Sequence, residues 1–161
     1  MKKIISFICV VMMLTNMSFA RDNTKDFESV NTVYREKTIK NSDGKQEKIR
    51  EIVKQTIPSE ELVVVLDYKY VYEKPADNVV LTLPIAKEFI YIPGTATDEK
   101  WVWFSADGGK TFARFKDLKV LDKNGVPRIA TGKDVTHLQW RHAKKLSKGD
   151  KGKLEYHVMI R

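Results

Sequence analysis

The sequence predicts an all-β protein, built as an antiparallel β-sandwich. Three observations predict this fold class. Apolar and polar residues alternate over runs of about five to ten residues, which is the period of a strand with one buried face. Gly, Pro, Asn and Asp clusters interrupt these runs at regular intervals, and no stretch has a convincing helical pattern. With 161 residues, the chain is long enough for one ordinary domain.

The first twenty residues have the layout of a secretory signal peptide. Lys2 and Lys3 precede an apolar run at residues 4–14, and small residues flank Phe19 just before the predicted cleavage site after Ala20. The apolar run is too short for a bilayer-spanning helix, which needs about 20 residues. We therefore expect an exported protein that does not span the membrane, located in the periplasm or outside the cell.

Two other interpretations of this segment stay open, an uncleaved N-terminal anchor and a lipid attached to Cys9. The second is disfavoured because Cys9 follows Ile8, where a lipoprotein needs a small residue. Cleavage would leave a chain from Arg21 to Arg161 without any cysteine. Disulfides, a cysteine zinc site and a cysteine nucleophile are then excluded, and the fold must depend on its hydrophobic core.

The mature chain is predicted to open with a flexible polar leader at residues 21–29, followed by one domain at residues 30–161. The first elements are a hairpin formed by residues 32–40 and 46–54, joined by the turn sequence Asn-Ser-Asp-Gly. A helix over residues 47–55 also fits the spacing of the apolar residues. We favour the strand because an Asp-Gly turn precedes it.

The central and final strands have the clearest alternation. It extends from Leu62 to Tyr72 and recurs at residues 136–141 and 153–161. We expect seven to ten strands in two sheets, since a typical sandwich has about 7–9. The side chains predicted to lie between the sheets are Leu62, Val64, Leu66, Tyr68, Leu138, Trp140, Tyr156 and Val158.

A further hairpin is predicted at residues 105–112, with the sequence Ser-Ala-Asp-Gly-Gly-Lys-Thr-Phe. This is the Asp-box pattern of sialidase propellers. The carboxylate of Asp107 would accept bonds from backbone N–H groups, and glycine would supply the positive φ that the turn needs. A propeller needs several four-stranded blades, so a single box predicts only a hairpin.

Five segments in order resemble a bacterial family, the conserved repeat domain called "domain of unknown function eleven". Residues 58–62 (Pro-Ser-Glu-Glu-Leu) resemble its strand-opening step, and residues 75–82 (Pro-Ala-Asp-Asn-Val-Val-Leu-Thr) resemble a following strand. Residues 84–97 resemble its Pro-Ile and Tyr-Val-Pro-Gly segment. Residues 104–112 and 134–140 resemble its Asp-Gly-Gly-Lys-Thr-Phe and Thr-His-Ile-Arg-Trp motifs. The resemblance covers about residues 30–161, as a single copy.

This resemblance implies an immunoglobulin-like sandwich that acts as a structural or adhesive module of the cell envelope. No catalytic residues come with the family. We therefore expect a non-enzymatic exported protein, with an envelope protein or polysaccharide as its partner.

Basic residues are concentrated at the C-terminus. Residues 21–140 hold 20 basic and 19 acidic side chains, whereas residues 141–161 hold 7 basic and 2 acidic ones. We expect the lysines around Gly149 and Gly152 to project from one end of the sandwich and to make weak, salt-sensitive contact with anionic envelope material. These lysines are Lys144, Lys145, Lys148 and Lys151. A solvated turn is the alternative interpretation of this segment. Nucleic acid is not expected as a partner, because the chain is predicted to be exported.

Trp101 and Trp103 are predicted on one face of a short strand, where an exposed tryptophan would contact sugar or protein. The alternative interpretation is structural, with Trp101 capping the edge of the sandwich. An alternative function is a small carbohydrate-active hydrolase that uses carboxylates near this pair, including Asp107.

No cofactor or metal is expected. The chain has three histidines, His137, His142 and His157, and we expect His137 and His157 on the surface of neighbouring strands. No His-x-x-x-His spacing accompanies them.

Overall fold

A computed structural model describes residues 26–142 and 144–161, which form ten strands and two short 3-10 helices. The predicted signal peptide and residues 21–25 lie outside the described residues. Among the residues described, no helix has the length and apolar character needed to cross a membrane. The 3-10 helices are Glu99–Trp101 and Phe115–Asp117. The strands are β1 (Phe27–Lys40), β2 (Gln46–Ile52), β3 (Glu61–Tyr70), β4 (Val80–Pro84), β5 (Phe89–Tyr91), β6 (Val102–Ser105), β7 (Lys119–Leu121), β8 (Pro127–Ile129), β9 (His137–Arg141) and β10 (Lys151–Ile160).

The strands form three antiparallel sheets. The larger sheet has the order β2-β1-β3-β10-β5, the smaller sheet has the order β4-β9-β6, and β7 pairs with β8 alone. Every pairing between strands is antiparallel. The predicted all-β class is confirmed, and the number of strands falls in the expected range. The separate β7–β8 hairpin was not expected.

The predicted hairpin at the start of the domain is confirmed, and residues 46–52 form a strand rather than a helix. Its turn is closed by Asn41, whose side-chain oxygen accepts bonds from the backbone N–H groups of Asp43 and Lys45 at 3.1 and 2.9 Å. This local bonding is the reason that asparagine favours turns. Gly44 takes a φ of 75°, which glycine adopts without strain.

The flexible leader was predicted at residues 21–29. This prediction is wrong for residues 27–29, because β1 begins at Phe27. Phe27 pairs with Tyr70 of β3, and their rings lie 5.1 Å apart in an edge-to-face arrangement. Phe27 also packs against the core, and this contact orders residues 27–29 although their neighbours in the sequence are polar.

The hydrophobic core lies between the larger and the smaller sheet. The rings of Trp140 in β9 and Tyr156 in β10 lie 6.1 Å apart, and those of Phe104 in β6 and Tyr91 in β5 lie 5.2 Å apart. All eight side chains predicted for the core are buried and belong to one cluster. One face of each sheet therefore contributes to the core, as the alternation predicted.

Strand β3 is buried on both faces, which its alternation did not show. Val63 and Val65, on the face that points away from the core, are each 1% exposed. Arg50 of β2 reaches Glu155 of β10 at 2.9 Å although two strands lie between them. Strands are about 4.8 Å apart, so a flat sheet would keep these residues too far apart. The part of the β1–β2 hairpin that carries Arg50 therefore bends over the outer face of β3.

The place of the last strand in the sheet order could not be predicted from sequence patterns. β10 lies between β3 and β5 in the larger sheet, whereas the last strand of an immunoglobulin constant-type domain belongs to the sheet with strands C and F. Gly152, near which the lysines were expected to project from one end of the sandwich, belongs to β10 and pairs with Tyr68. A Cβ atom on Gly152 would lie 2.2 Å from the Tyr68 ring, so only glycine allows this close approach.

Candidate functional site

The two predicted tryptophans do not share a strand. Trp101 ends a 3-10 helix, where its backbone N–H donates to the carbonyl of Asp98 at 2.7 Å, and its side chain is 42% exposed. Trp103 lies in β6, between Val102 and Phe104, which are both buried in the core. Trp103 is therefore on the outer face of the smaller sheet. The predicted common strand face is wrong because the strand begins only at Val102.

Trp103 contacts two arginines. The guanidinium carbon of Arg141 lies 4.1 Å from the ring centroid, and that of Arg114 lies 4.7 Å from it. Arg141 ends β9, which pairs with one edge of β6. Arg114 follows Ala113, which forms a bridge with Phe104 at the other edge. The two cations thus approach the indole from opposite sides of β6, within the range of cation–π attraction.

Neutral groups hold the two guanidinium groups in place. The Nε atom of Arg141 donates to the side-chain oxygen of Gln139 at 2.9 Å, and Gln139 pairs directly with Trp103. The Gln139 amide in turn donates to the hydroxyl of Thr82 at 3.2 Å. One terminal nitrogen of Arg114 donates to the carbonyl of Val102 at 2.9 Å. The outer face of the smaller sheet therefore carries two oriented positive charges, which we call the Arg-Trp-Arg surface (Trp103, Arg114 and Arg141).

The arginines of this surface differ from the other arginines in strands and hairpins. Arg35, Arg50 and Arg128 each contact a carboxylate at hydrogen-bonding distance. Among the described residues, neither Arg114 nor Arg141 takes part in an ion pair. Within the part of the chain that the structure describes, no carboxylate therefore compensates the charge of these two groups.

The four predicted lysines do not act as one group. Lys148 forms an ion pair with Glu73, so its charge is compensated. Lys151 lies in β10 opposite Lys69 of the larger sheet. Lys144 and Lys145 are exposed and lie three and four residues after Arg141, the last residue of β9. Of the four lysines, these two are therefore the nearest to Arg141 along the chain.

Asp107 is fully engaged in its own turn. Its carboxylate accepts bonds from the Thr111 hydroxyl at 2.6 Å and from the Ser105 hydroxyl at 2.7 Å. It also accepts bonds from the backbone N–H groups of Thr111 and Lys110. The Thr111 bonds, followed by the Ser105 bond, hold the pKa of Asp107 far below its usual range. The predicted hairpin is confirmed, since Phe104 and Ala113 exchange backbone bonds across it.

The histidines are separated in the structure. His137 belongs to the smaller sheet and His157 to the larger one, so the expected neighbouring strands are wrong. Burial lowers the pKa of both His137 and His142. His142 lies 3.3 Å from the Tyr68 hydroxyl, and His157 lies 2.8 Å from a carboxylate oxygen of Glu61. Within residues 26–142 and 144–161, no three potential metal ligands of the His, Cys, Asp or Glu type come together.

Sequence reasoning missed Arg114 and Gln139. Arg114 is eleven residues from Trp103 along the chain, and no local pattern connects the two. They meet because the Asp107 turn reverses the chain beside β6. No family model, curated protein or solved structure matches this chain in the comparisons with known proteins.

Proposed function

We propose that this chain is an exported, non-enzymatic binding module of the cell envelope. One observation carries the proposal, namely the Arg-Trp-Arg surface on the outer face of the smaller sheet. Two guanidinium groups that form no ion pair among the described residues are oriented there, Arg141 by Trp103 and Gln139, and Arg114 by Trp103 and the Val102 carbonyl. Fixed cations at a surface favour the recognition of an anionic partner.

The same surroundings support binding over glycoside hydrolysis. Most glycosidases need two carboxyl groups that flank the scissile bond, one of them able to give up a proton near neutral pH. The groups that contact Trp103 are cations, and the hydrogen bonds to Asp107 keep this carboxylate ionised and within its turn. These contacts suit the holding of an anion better than proton transfer.

Lys144 and Lys145 add a weaker, less directed attraction. They are exposed, and their charges are close along the chain to that of Arg141. A basic side chain near an anionic surface contributes about 1 kcal/mol at most. These lysines would retain the protein near envelope material, whereas the arginines would contact it directly.

The envelope location rests on the sequence. The charged start, the apolar run and the small residues before Arg21 form an export signal. The five segments that resemble the bacterial repeat-domain family also support an envelope role, with an envelope protein or polysaccharide as the partner. We propose the periplasm or the cell exterior as the location.

The export part of the proposal can be tested by expressing the full chain in a bacterial host. We expect intact mass spectrometry of the secreted or periplasmic product to give a chain that begins at Arg21. A substitution of Ala20→Asp should block cleavage, because the signal peptidase needs a small residue there. A product that retains Lys2 and Lys3, or one that carries a lipid on Cys9, would contradict the proposal.

A further inference from the structure

The two arginines of the Arg-Trp-Arg surface have donors to spare. Arg141 uses its Nε atom for Gln139, and Arg114 uses one terminal nitrogen for a backbone carbonyl. Among the described residues, the two terminal nitrogens of Arg141 have no acceptor within hydrogen-bonding distance. A guanidinium has five N–H donors arranged as a planar fork. The surface therefore retains a set of charged donors that an oxyanion could use.

Stacking on Trp103 is compatible with this use. A cation–π contact occupies a face of the guanidinium plane, whereas hydrogen bonds extend from its edge. Trp103 thus restricts two flexible side chains without consuming their donors. Restricting them in advance reduces the entropy that binding would otherwise cost.

Trp101 and Lys100 directly precede β6, the strand that carries Trp103. Trp101 lies two residues before Trp103, its side chain is 42% exposed, and the Lys100 ammonium is 5.9 Å from its ring centroid. An exposed indole offers an apolar face with a polar edge. An exposed aromatic face therefore lies two residues along the chain from Trp103 and its two guanidinium groups.

We infer that this surface binds an acidic polysaccharide whose sugar units carry carboxylate groups. The inference rests on the proposed function and specifies its ligand class. A carboxylate matches the fork of Arg141 or Arg114 with two parallel hydrogen bonds. A sugar ring beside the carboxylate would cover the exposed indole of Trp101. A phosphate-bearing lipid surface would satisfy the charges and leave this aromatic face unused, so the polymer is the better fit.

The test uses the protein purified in the form that the cells produce. Its mobility in native gels that contain polygalacturonate is compared with that in gels with neutral dextran. Two phosphate-bearing probes are tested in parallel. One is a vesicle of phosphatidylglycerol, and the other is inorganic polyphosphate in solution. The variants are Arg141→Gln and Arg114→Gln, and Arg128→Gln is the matched control because Asp134 already pairs with that arginine.

We expect retardation by polygalacturonate, none by dextran, and weaker binding to both phosphate probes. Loss of one charged hydrogen-bonding group should raise the dissociation constant about tenfold for Arg141→Gln or Arg114→Gln, and Arg128→Gln should bind like the wild type. Trp101→Ala should weaken binding to the polymer only. Circular dichroism of each variant checks that it is folded.

The inference fails if the polymer is not bound, if it is bound equally by the wild type and both arginine variants, or if the phosphate probes bind as tightly. Each of these results leaves the export test untouched. An exported chain that ignores polygalacturonate would overturn this ligand class alone, whereas a chain that is not exported would overturn the proposed function.

Discussion

At the scale of single residues, Trp140 contributes most directly to the stability of the core. Its side chain is 1% exposed, and its indole N–H donates to the carbonyl of Thr97 at 2.9 Å. Truncation to alanine would leave a large cavity between the sheets and a carbonyl without its donor. We expect Trp140→Ala to lower the free energy of unfolding by about 3–5 kcal/mol, measured by urea denaturation.

Trp101→Ala is the matched control for this prediction. The same residue type is removed there from a side chain that is 42% exposed. A surface position of this kind should cost less than about 1 kcal/mol. Equal losses for the two variants would contradict the assignment of Trp140 to the core.

Individual core residues were predictable where one face of a strand is buried. Alternation identified Leu138 and Tyr156 correctly because their neighbours in the sequence are polar. It could not identify Val63 and Val65 as buried, since their cover is supplied by a hairpin that bends over β3. It also missed Arg114, whose contact with Trp103 depends on a turn that joins distant positions.

At the scale of elements, the Asp107 turn makes a testable contribution to stability. Its folded-state pKa lies below the unfolded value of about 3.9. The stabilisation is therefore fully present above that value, and it is lost as the pH falls through the folded-state pKa. We expect Asp107→Asn to lower the free energy of unfolding by about 1 kcal/mol at pH 7, because Asp107 is exposed and solvent screens its charge.

The difference between wild type and Asp107→Asn should narrow as the pH falls from about 5 to 2. Urea denaturation at several pH values measures it. Asp43→Asn serves as the control, since that carboxylate accepts no hydrogen bond among the described residues, and it should change stability little. If the wild type exceeds Asp107→Asn in free energy of unfolding by the same amount down to pH 2, Asp107 does not act through its charge.

Elements with strong local signals were predicted well. The β1–β2 hairpin and the Asp107 turn each contain turn residues that act through their own side chains, so local sequence determines them. The start of β1 was missed because Phe27 is ordered by Tyr70, a distant partner. The 3-10 helix at Glu99–Trp101 was missed because a single helical turn has no period to detect.

At the scale of the whole molecule, the packing of the larger sheet on the smaller one leaves the Arg-Trp-Arg surface on the side of β6 that faces away from the core. The all-β class was predictable from alternation, but the order of the strands was not. The pairing of β10 with both β3 and β5 joins residues up to about a hundred positions apart, and such pairings leave no trace in local patterns. The surface around Trp103 likewise depends on a non-local pairing, that of β6 with β9, which places Trp103 opposite Gln139.

The central claim is that the protein binds envelope material through this surface. The most direct test is co-sedimentation of the purified protein with isolated bacterial cell envelopes at about 50 and 300 mM salt, which spans a change in Debye length from roughly 14 to 6 Å. The account predicts that the wild type and Arg128→Gln sediment with the envelopes at low salt and are released at high salt. The Arg114→Gln/Arg141→Gln double variant should sediment much less than the wild type at low salt, because only the weaker attraction of Lys144 and Lys145 remains. Equal sedimentation of the wild type and the double variant, or no sedimentation of the wild type, would contradict the account.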